Sequence, residues 1–576
     1  MIKASKFFLG LFYLGLALIA EAQSETPAFS TAEGYGKWAS GGRGGKVVEV
    51  TSLEDKDRRG NVVEGGFRWA LQQHTGEPIT IIFKVSGVVD LGGGDLRSKR
   101  DNVTIAGQTA PGDGICIKGG NVNLGGSNNV IIRHIRFRIG LMDDGSFIEG
   151  GALGYENGSN FIIDHCTFGW SGEENMTIYD NNNTTVQWCI VHEGLYNVGH
   201  PKGNRGYGVQ WGGQTSTYHH NLLAHNYSRT PRVNGARSND IHVLMDYVNN
   251  VNYNWGKANS AYGGDLVEGQ SHHCNWVNNY YKPGPARSGS STSYFVQASF
   301  NPNQTISKIP KWYLDGNHME GTANTDRNTD NYVGLDADAY TEKGIDKSEL
   351  ISSVAFEVPY ELNVESAEDA FTSVVEMAGA WPRDTCDTRI AREVRTGIAA
   401  GTGTIGNGMI DDPEVVGGFQ VYDTYNIAAD WDHDGMADYW EAVNELDSTN
   451  AEDRNNLTSD GYTVLEVYIN YLAGEEHPDY TFPKPQYIDA QPEEPTEPEL
   501  SKKNIETGFN VYVSEFDQLI IESIEPIANV VIYDLNGRIV QQSTSKELDI
   551  SKLRNGLYIS RVEMKNGECY PVKFMK

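Results

Sequence analysis

The sequence predicts an all-β protein: a right-handed parallel β-helix, then a small acidic-loop unit, then a C-terminal antiparallel β-sandwich. Three observations lead to this prediction. The chain has 576 residues with 64 glycines, and helical periodicity is scarce before residue 360, which is typical of strands joined by many turns. One strand pattern recurs through the first half of the chain. Strand-like alternation then returns after a Pro-rich acidic segment, over residues 505–576.

The recurring pattern is an Asn or Gly turn that leads into a short β-branched run. The runs are "NVTIAG" at 102, "NVIIRHIRF" at 129, "NFIIDHCTF" at 160, "TTVQWCIVH" at 184, "TYHHNLLAH" at 217 and "HHCNWVNNYY" at 272. The first five starts lie 24 to 33 residues apart. Each unit is too small to be stable alone, so neighbouring units must stack around a continuous core. A β-sandwich is the alternative, but its hairpins would show two-residue turns more regularly.

Changes of pattern along the chain predict the domain boundaries. We expect a signal peptide at 1–22, a β-helix with a loop-rich C-terminal wrap at 23–410, an acidic-loop unit at 411–477, a linker at 478–504 and a β-sandwich at 505–576. The wrap carries one helical segment, 365–380. The signal peptide is indicated by two lysines, an apolar run and a small-x-small cleavage site. A membrane anchor, the alternative, needs a longer apolar run.

The formal net charge of −31 argues against nucleic acid or an anionic membrane as a partner. It also opposes a polyanionic substrate, unless local cations or a bound metal reverse the field at the site. Arg229 and Arg232 are such cations, three residues apart on a turn stiffened by Pro231. The six cysteines show neither a CxxC pair nor a zinc spacing. We expect them to be buried as small hydrophobic residues, with one disulfide as the alternative.

Residues 430–441, "DWDHDGMADYWE", match a 12-residue EF-hand calcium loop at every ligand position. The predicted ligands are Asp430, Asp432, Asp434, the carbonyl of Met436, Asp438 and Glu441. A solvated acidic loop is the alternative, but carboxylates this dense repel each other when nothing neutralises them. A helix face follows at Val464, Leu465, Tyr468, Ile469 and Leu472. We interpret the segment as a structural Ca²⁺ site and not as a sensor.

Six segments occur in a fixed order: "STAEGYGKWASGGRGGKVVEVTSLED" at 30, "GGFRWAL" at 65, "IIFKVSGVVDL" at 81, "NVTIAGQTAPGDGI" at 102, "NFIIDHCTFGWSGEEN" at 160 and "HHNLLAHNYSRTPRVNG" at 219. Together they resemble the pectate lyase family, polysaccharide lyase family one, over about residues 30–320. The resemblance implies a pectin-lyase-like right-handed β-helix. It also implies a secreted enzyme that cleaves polygalacturonate by calcium-assisted β-elimination, where cations gather around the charge that develops on the uronate.

The resemblance assigns roles to individual cations. Arg229 lies eight residues after the Asn of "HHN" and corresponds to the family's catalytic base. A free guanidinium has a pKa above about 12, so Arg229 requires burial, calcium and cations such as Arg232 to disfavour its charge. Arg232 would bind the uronate carboxylate. Lys202 falls in the region of a carboxylate-binding lysine, although a strict count gives Asn197.

The resemblance also places a calcium site around Asp164. The corresponding acidic ligands are Glu149, Glu173 and Glu174. Gly151 and Thr177 stand where the family has aspartates, so Asp143, Asp144 and Asp180 are alternative ligands. Asp164 itself is interpreted as a structural hydrogen-bonding residue. We expect Trp170, Tyr207 and Trp211 to line the sugar groove, with burial in the core as the alternative.

Other functions remain open. The protein could be a lyase or hydrolase of another polysaccharide, and a hydrolase would pair Glu173 with Asp143 or Asp144 across a cleft. A non-catalytic glycan-binding β-helix is the non-enzymatic alternative. The last 70 residues resemble the type A sorting domain of type IX secretion, with "VVIYDLNGRIV", "ELDISKLRNGLYISRV" and "YPVKFMK". This implies type IX machinery as a partner, with a carbohydrate-binding sandwich as the alternative. We expect a monomer without a membrane span.

Overall fold

The computed structural model describes residues 26–257, 259–267, 269–287, 294–305, 307–321, 326–488, 509–513, 518–523, 526–533, 539–553, 557–565 and 569–576. The chain divides into two compact units, Met1–Asp489 and Ala490–Lys576. The predicted signal peptide lies outside the described residues, as does most of the predicted linker. Among the residues described, no helix combines the length and the apolar character needed to cross a bilayer.

The first unit is a parallel β-helix built from three sheets. The first sheet contains Lys46–Val50, Ile79–Phe83, Val103–Ala106, Asn128–Arg133, Ser159–Asp164, Asn182–Gln187, Thr215–His219, His242–Val248, Ser271–Val277 and Lys311–Asp315. The second contains Leu96–Arg97, Val122–Asn123, Leu153–Glu156, Glu174–Tyr179, Tyr207–Trp211, Arg232–Val233, Ala261–Gly263, Val296–Ala298 and Leu335–Asp336. The third contains Gly87–Asp90, Ile115–Lys118, Ile135–Arg138, Thr167–Gly169, Ile190–His192, Leu222–Ala224, Val251–Tyr253, Tyr280–Lys282 and His318–Met319.

Neighbouring coils pair strand on strand in parallel, so the predicted parallel β-helix is confirmed and the β-sandwich alternative is wrong for this unit. Each of the six runs singled out in the sequence contains a first-sheet strand, and five of them continue around the corner into the third sheet. The first-sheet strands between 103 and 277 have four to seven residues, which is long enough to show a pattern. Several strands of the second sheet have only two residues, so the sequence did not reveal them.

A ladder of buried asparagines holds the corner between the first and third sheets. The backbone N–H of Asn221 donates to Oδ1 of Asn250 at 3.0 Å, and that of Asn250 donates to Oδ1 of Asn279 at 2.9 Å. The N–H of Asn279 donates in turn to Asn317 at 3.0 Å. Each Nδ2 also donates back to a backbone carbonyl, as Asn250 does to Tyr218 at 2.8 Å. The ladder thereby satisfies backbone groups that the turn buries.

The residue before each ladder asparagine has a left-handed backbone. The φ angles are 53° at His220, 54° at Asn249 and 50° at Asn278, a region that asparagine and histidine tolerate better than most residues. The rings preceding the ladder stack from coil to coil: the Trp188 ring centroid lies 4.3 Å from that of His220 and 6.0 Å from that of His165. The backbone of the corner therefore has the same conformation in successive coils, even where the residue at that position changes.

The C-terminal wrap packs against the third sheet. The predicted helical segment at 365–380 is confirmed as the helix Ala367–Met377, which begins at Ser366 as its N-cap. A second helix, Thr385–Thr396, was not predicted. It buries Asp387 and Glu393 beside Ile390 and Val394. Its inner face is therefore partly charged, and the sequence lacks the continuous apolar stripe that would predict a helix. The remaining helices are Phe67–Ala70, Asp326–Thr329, Asp338–Thr341, Asp438–Val443 and Val464–Leu472.

The acidic-loop segment packs onto the β-helix, which corrects the prediction of a separate unit over 411–477. Met436 and Trp440 share one core with Ile82 and Ala106 of the early coils. The predicted apolar helix face is present in Val464–Leu472, which begins with a capping box formed by Thr463 and Glu466. The segment has too little apolar surface of its own, so it buries that surface against the β-helix.

The second unit consists of two antiparallel sheets, as predicted. One sheet contains Phe509–Val513, Gln518–Ser523 and Glu547–Asp549. The other contains Ile539–Ser543, Ile527–Tyr533, Leu557–Met564 and Cys569–Met575. The cysteines whose side chains are described, Cys116, Cys166, Cys189, Cys274 and Cys386, are free and buried, as expected for small hydrophobic residues. The side chain of Cys569 lies outside the description.

Replacing Asn250 with alanine should destabilise the first unit. The change removes the acceptor of the Asn221 N–H and a donor to the Tyr218 carbonyl. Each unsatisfied buried group costs about 1–3 kcal/mol, so we expect the free energy of unfolding to fall by roughly 3 kcal/mol. Urea denaturation measures the change. Asn182→Ala, at an exposed position of the first sheet, is the control and should change by about 0.5 kcal/mol or less. Equal losses in both variants would contradict the role of the ladder.

Candidate active site

A row of polar side chains crosses the outer face of the second sheet. Strand register pairs Thr177 with Gln210, Gln210 with Arg232, and Arg232 with Tyr262. Paired positions point to the same side of a parallel sheet, and their inward neighbours, such as Val209, belong to the core. We call Thr177, Gln210, Arg232 and Tyr262 the outer row. It places residues from successive coils along one line, which suits an extended ligand.

Arg229 reaches this row from the loop that precedes the strand Arg232–Val233. Its φ is 63°, and its side chain is only 14% exposed. Nη1 of Arg229 donates to Oε1 of Gln210 at 3.2 Å, and Nη1 of Arg232 lies 3.4 Å from the same oxygen. Arg229 also forms an ion pair with Glu174. Gln210 thus holds two guanidinium groups together despite their repulsion.

The environment of Arg229 disfavours its charge. Burial is the main cause that lowers the pKa of Arg229, and the charge of Arg232 lowers it further. Tyr262 and Glu173 act in the opposite direction, without reversing the shift. The pKa of this guanidinium therefore lies below its ordinary value, in the direction that a proton acceptor requires.

Three predicted calcium ligands are brought together beside the arginines. Glu149, Glu173 and Glu174 line one cavity of about 270 Å³, together with Gly151 and Thr177. Their environments differ. Glu149 is exposed, and Glu174 pairs with Arg229 as described above. Glu173 pairs with Nε2 of His200 and lies 3.7 Å from Nη2 of Arg205.

The alternative acids lie elsewhere. Asp143 and Asp144 line a different cavity, with Asp90 and Lys118. The hydrolase alternative requires Glu173 and one of these aspartates in the same cleft, and the two cavities separate them. The Asp180 carboxylate accepts the backbone N–H of Asn239 at 3.2 Å.

Asp164 is fully buried. It accepts from Arg133 and Gln187, both at 2.8 Å, which is consistent with its interpretation as a structural residue.

The structure buries two of the three aromatic residues that were predicted to line the groove. Trp170 and Trp211 have no exposed surface, so the prediction that they line the groove is wrong. Strand alternation turns Trp211 inward, where its ring lies 4.4 Å from that of Tyr218. Trp170 donates its Nε1–H to Glu193 at 3.0 Å, which satisfies the indole inside the wrap.

Tyr207 does lie at the site, partly buried. Its ring centroid lies 4.2 Å from the guanidinium carbon of Arg229 and 5.1 Å from that of Arg205. Lys202 is exposed in the turn before it, and its backbone N–H donates to Nδ1 of His200 at 2.9 Å. Its predicted role in carboxylate binding stays a prediction.

Sequence reasoning missed Gln210, Arg205 and His200. The only available signal was the alternation in "YGVQW" at 207–211, which turns Gln210 outward between two buried residues. The contacts of Arg205 and His200 with Glu173 join separate coils, so no local pattern indicates them.

Comparison with known proteins identifies the chain. A probable pectate lyase C of Aspergillus fumigatus is 32% identical over 463 residues, which cover 80% of this chain and 97% of the relative. This chain belongs to the pectate lyase family. A probable pectate lyase C of Emericella nidulans is 31% identical over 471 residues, 80% of this pectate lyase and 96% of the relative. Pectate lyase 1 of Pectobacterium atrosepticum is 26% identical over 270 residues, 43% of this chain and 65% of the relative.

Among solved structures, the cedar pollen allergen jun a 1 aligns with a TM-score of 0.42 and 16% identity, over 61% of this chain and 92% of the allergen. Residues 515–575 of this pectate lyase match the family model described as the secretion system C-terminal sorting domain. The predicted export of the enzyme is thereby confirmed: the protein is secreted or displayed at the cell surface.

Replacing Gln210 with alanine should impair the enzyme through its arginines. Hydrogen bonds to charged groups contribute about 1.5–3 kcal/mol, so we expect kcat/KM on polygalacturonate to fall roughly ten- to hundredfold. Gln214→Ala is the matched control, because Gln214 contacts Asn182 and lies outside the outer row. Equal activity in the two variants would show that the bridge between Arg229 and Arg232 is dispensable.

Proposed function

We propose that this pectate lyase cleaves polygalacturonate by β-elimination at the outer row, with Arg229 as the proton acceptor. One observation carries the proposal: the partly desolvated Arg229 lies beside a second cation, Arg232, and next to a cavity lined by carboxylates. Burial and the charge of Arg232 lower the pKa of Arg229. The family membership supports the same reaction class.

In this proposal Arg232 binds the uronate carboxylate with its planar guanidinium. Neutral Arg229 takes the proton from C5, the C5–H electron pair forms the C4=C5 double bond, and the C4–O bond breaks. The leaving oxygen takes a proton from solvent, and Arg229 returns its own proton to solvent. The nearby guanidinium groups stabilise the charge that develops beside the carboxylate.

The cavity residues fit a calcium ion by the chemistry of their donors, since Ca²⁺ prefers carboxylate oxygens. Glu149, Glu173 and Glu174 would hold it. A bound Ca²⁺ would neutralise the carboxylates and the uronate, and would weaken the attraction by which Glu174 favours the charged form of Arg229.

The chain departs from the family at Gly151 and Thr177, and the two positions differ in available space. A Cβ atom at Gly151 would lie 2.5 Å from the backbone oxygen of Glu174, so an aspartate there would force the backbone to move. Thr177 already carries a side chain, is partly exposed, and lines the cavity.

The reaction can be tested by ultraviolet absorbance of the unsaturated uronate product, using the full chain on polygalacturonate with added calcium and with EDTA. We expect absorbance to rise with calcium and to stay flat with EDTA. No rise in calcium, or an equal rise on a neutral glucan, would contradict the proposal. We also propose that the sorting domain uses type IX machinery, which is supported by its match to the secretion family model.

Arg229→Lys should abolish most of the turnover without unfolding the protein. Lysine keeps the charge but loses the planar group, and losing a positioned proton acceptor costs about a hundredfold or more in kcat. Arg237→Lys is the control, because Arg237 pairs with Asp265 and not with the outer row. Circular dichroism should be unchanged in both variants. If Arg229→Lys keeps most of the wild-type rate, Arg229 is not the base.

Thr177→Asp should tighten calcium at the catalytic cavity. The new carboxylate adds a negative charge beside the three glutamates, and an interaction of about 1–2 kcal/mol corresponds to roughly tenfold in affinity. The calcium concentration for half-maximal activity should therefore fall about tenfold. Thr75→Asp adds the same charge at an exposed turn outside this cavity and should leave the titration unchanged. Overlapping curves for Thr177→Asp and wild type would place calcium elsewhere.

A further inference from the structure

A second group of carboxylates converges in the acidic loop, away from the outer row. Carboxylate oxygens of Asp430, Asp432 and Asp434 lie within 4.8 Å of one another, and so do those of Asp434, Glu441 and Asp453. Asp434 belongs to both sets and joins them. Asp453 lies beyond the 12-residue loop, in the short 3-10 helix Asp453–Asn455, and sequence reasoning did not include it.

Several of these oxygens are buried without a hydrogen-bond partner. They are both oxygens of Asp432 and of Glu441, Oδ2 of Asp434 and Oδ1 of Asp453. Asp434 and Glu441 have no exposed surface at all. A buried carboxylate without a counter-charge is strongly unfavourable, so such a cluster requires a cation.

The side chains of the protein supply only part of the positive charge that this carboxylate cluster requires. Nζ of Lys84 lies 2.7 Å from Oδ2 of Asp430. Within the described ranges, no ion pair joins a lysine or arginine to Asp432, Asp434 or Glu441. Burial, with the neighbouring carboxylates adding to it, raises the pKa of Asp434 to about 7 and that of Glu441 to about 8.

Two of the predicted ligands, Asp438 and Met436, take part in hydrogen bonds within the loop. Oδ1 of Asp438 accepts the backbone N–H of Trp431 at 3.0 Å, and Asp438 is absent from both converging sets. We therefore replace Asp438 by Asp453 as the expected ligand. The backbone N–H of Met436 donates to Oδ1 of Asp434 at 2.8 Å, which orients that carboxylate, while the predicted role of the Met436 carbonyl stays a prediction.

We propose that Asp430, Asp432, Asp434, Glu441 and Asp453 bind one Ca²⁺ ion, which fastens the segment 430–477 onto the early coils of the β-helix. Hard oxygen ligands in this number suit calcium. The position supports a fastening role: Lys84 connects Asp430 to the end of a first-sheet strand, and Met436 and Trp440 lie in the core shared with Ile82. The site is structural, and it does not depend on the proposed catalytic function.

The test uses the full chain, stripped with EDTA and titrated with calcium chloride in the absence of polysaccharide. Glu149→Gln is present in every sample to weaken the catalytic cavity. We expect calcium to raise the melting temperature and to protect residues 430–477 from limited proteolysis. Asp453→Asn and Glu441→Gln should each shift the titration midpoint at least tenfold to higher calcium.

Glu445→Gln is the matched control, since Glu445 is exposed and outside the converging sets, and its titration should match the reference. If Asp453→Asn titrates like the control, Asp453 is not a ligand and the proposal fails. If calcium changes neither melting nor proteolysis of the reference protein, the loop binds no calcium. Because both variants remove repulsive charge, they should fold, and proteolysis of the calcium-free forms checks this directly.

Discussion

The β-helix depends on satisfying the backbone at its corners. Each coil must turn from the first sheet to the third inside the protein, where water cannot form hydrogen bonds with the backbone N–H and C=O groups of the turn. The asparagine ladder does this from Asn221 onward, and Cys189 begins it by donating its N–H to Oδ1 of Asn221 at 3.0 Å. The N–H of Cys166 meets the sulfur of Cys189 at 3.4 Å, a weaker acceptor. Stacked corners keep successive coils in register, and the outer row is a consequence of that register.

That register lets a protein with net charge −31 present a locally cationic site. Arg229 and Arg232 come from one coil, whereas Gln210, which holds them together, comes from the previous coil. The Glu174 carboxylate, which pairs with Arg229, offsets part of the positive potential that the two arginines create. Net charge therefore sets the long-range field, but the coil-to-coil contacts decide what a uronate encounters at short range.

The two carboxylate groups differ in a way that matches different tasks. In the proposed catalytic cavity, Glu173 and Glu174 already pair with His200 and Arg229, so a cation there would compete with these protein partners. In the acidic loop, the oxygens of Asp432 and Glu441 are buried and unpaired, so among the described side chains a cation there competes only with Lys84, which pairs with Asp430. The first arrangement suits a turnover cycle, and the second suits a permanent structural role.

The sequence by itself determined the parallel β-helix, six of the ten first-sheet strands, the helix at 464–472, the arginine pair and most of the acidic loop. These signals are local: strand alternation, helix periodicity and ligand spacing join residues close in the chain. Only the tertiary structure decided that Trp170 and Trp211 are buried, that Gln210 bridges the arginines, that Asp453 joins the acidic loop, and that Gly151 has no room for a side chain. Coil length varies, so contacts between coils cannot be counted from sequence spacing, and burial at a corner depends on the segment that packs over it.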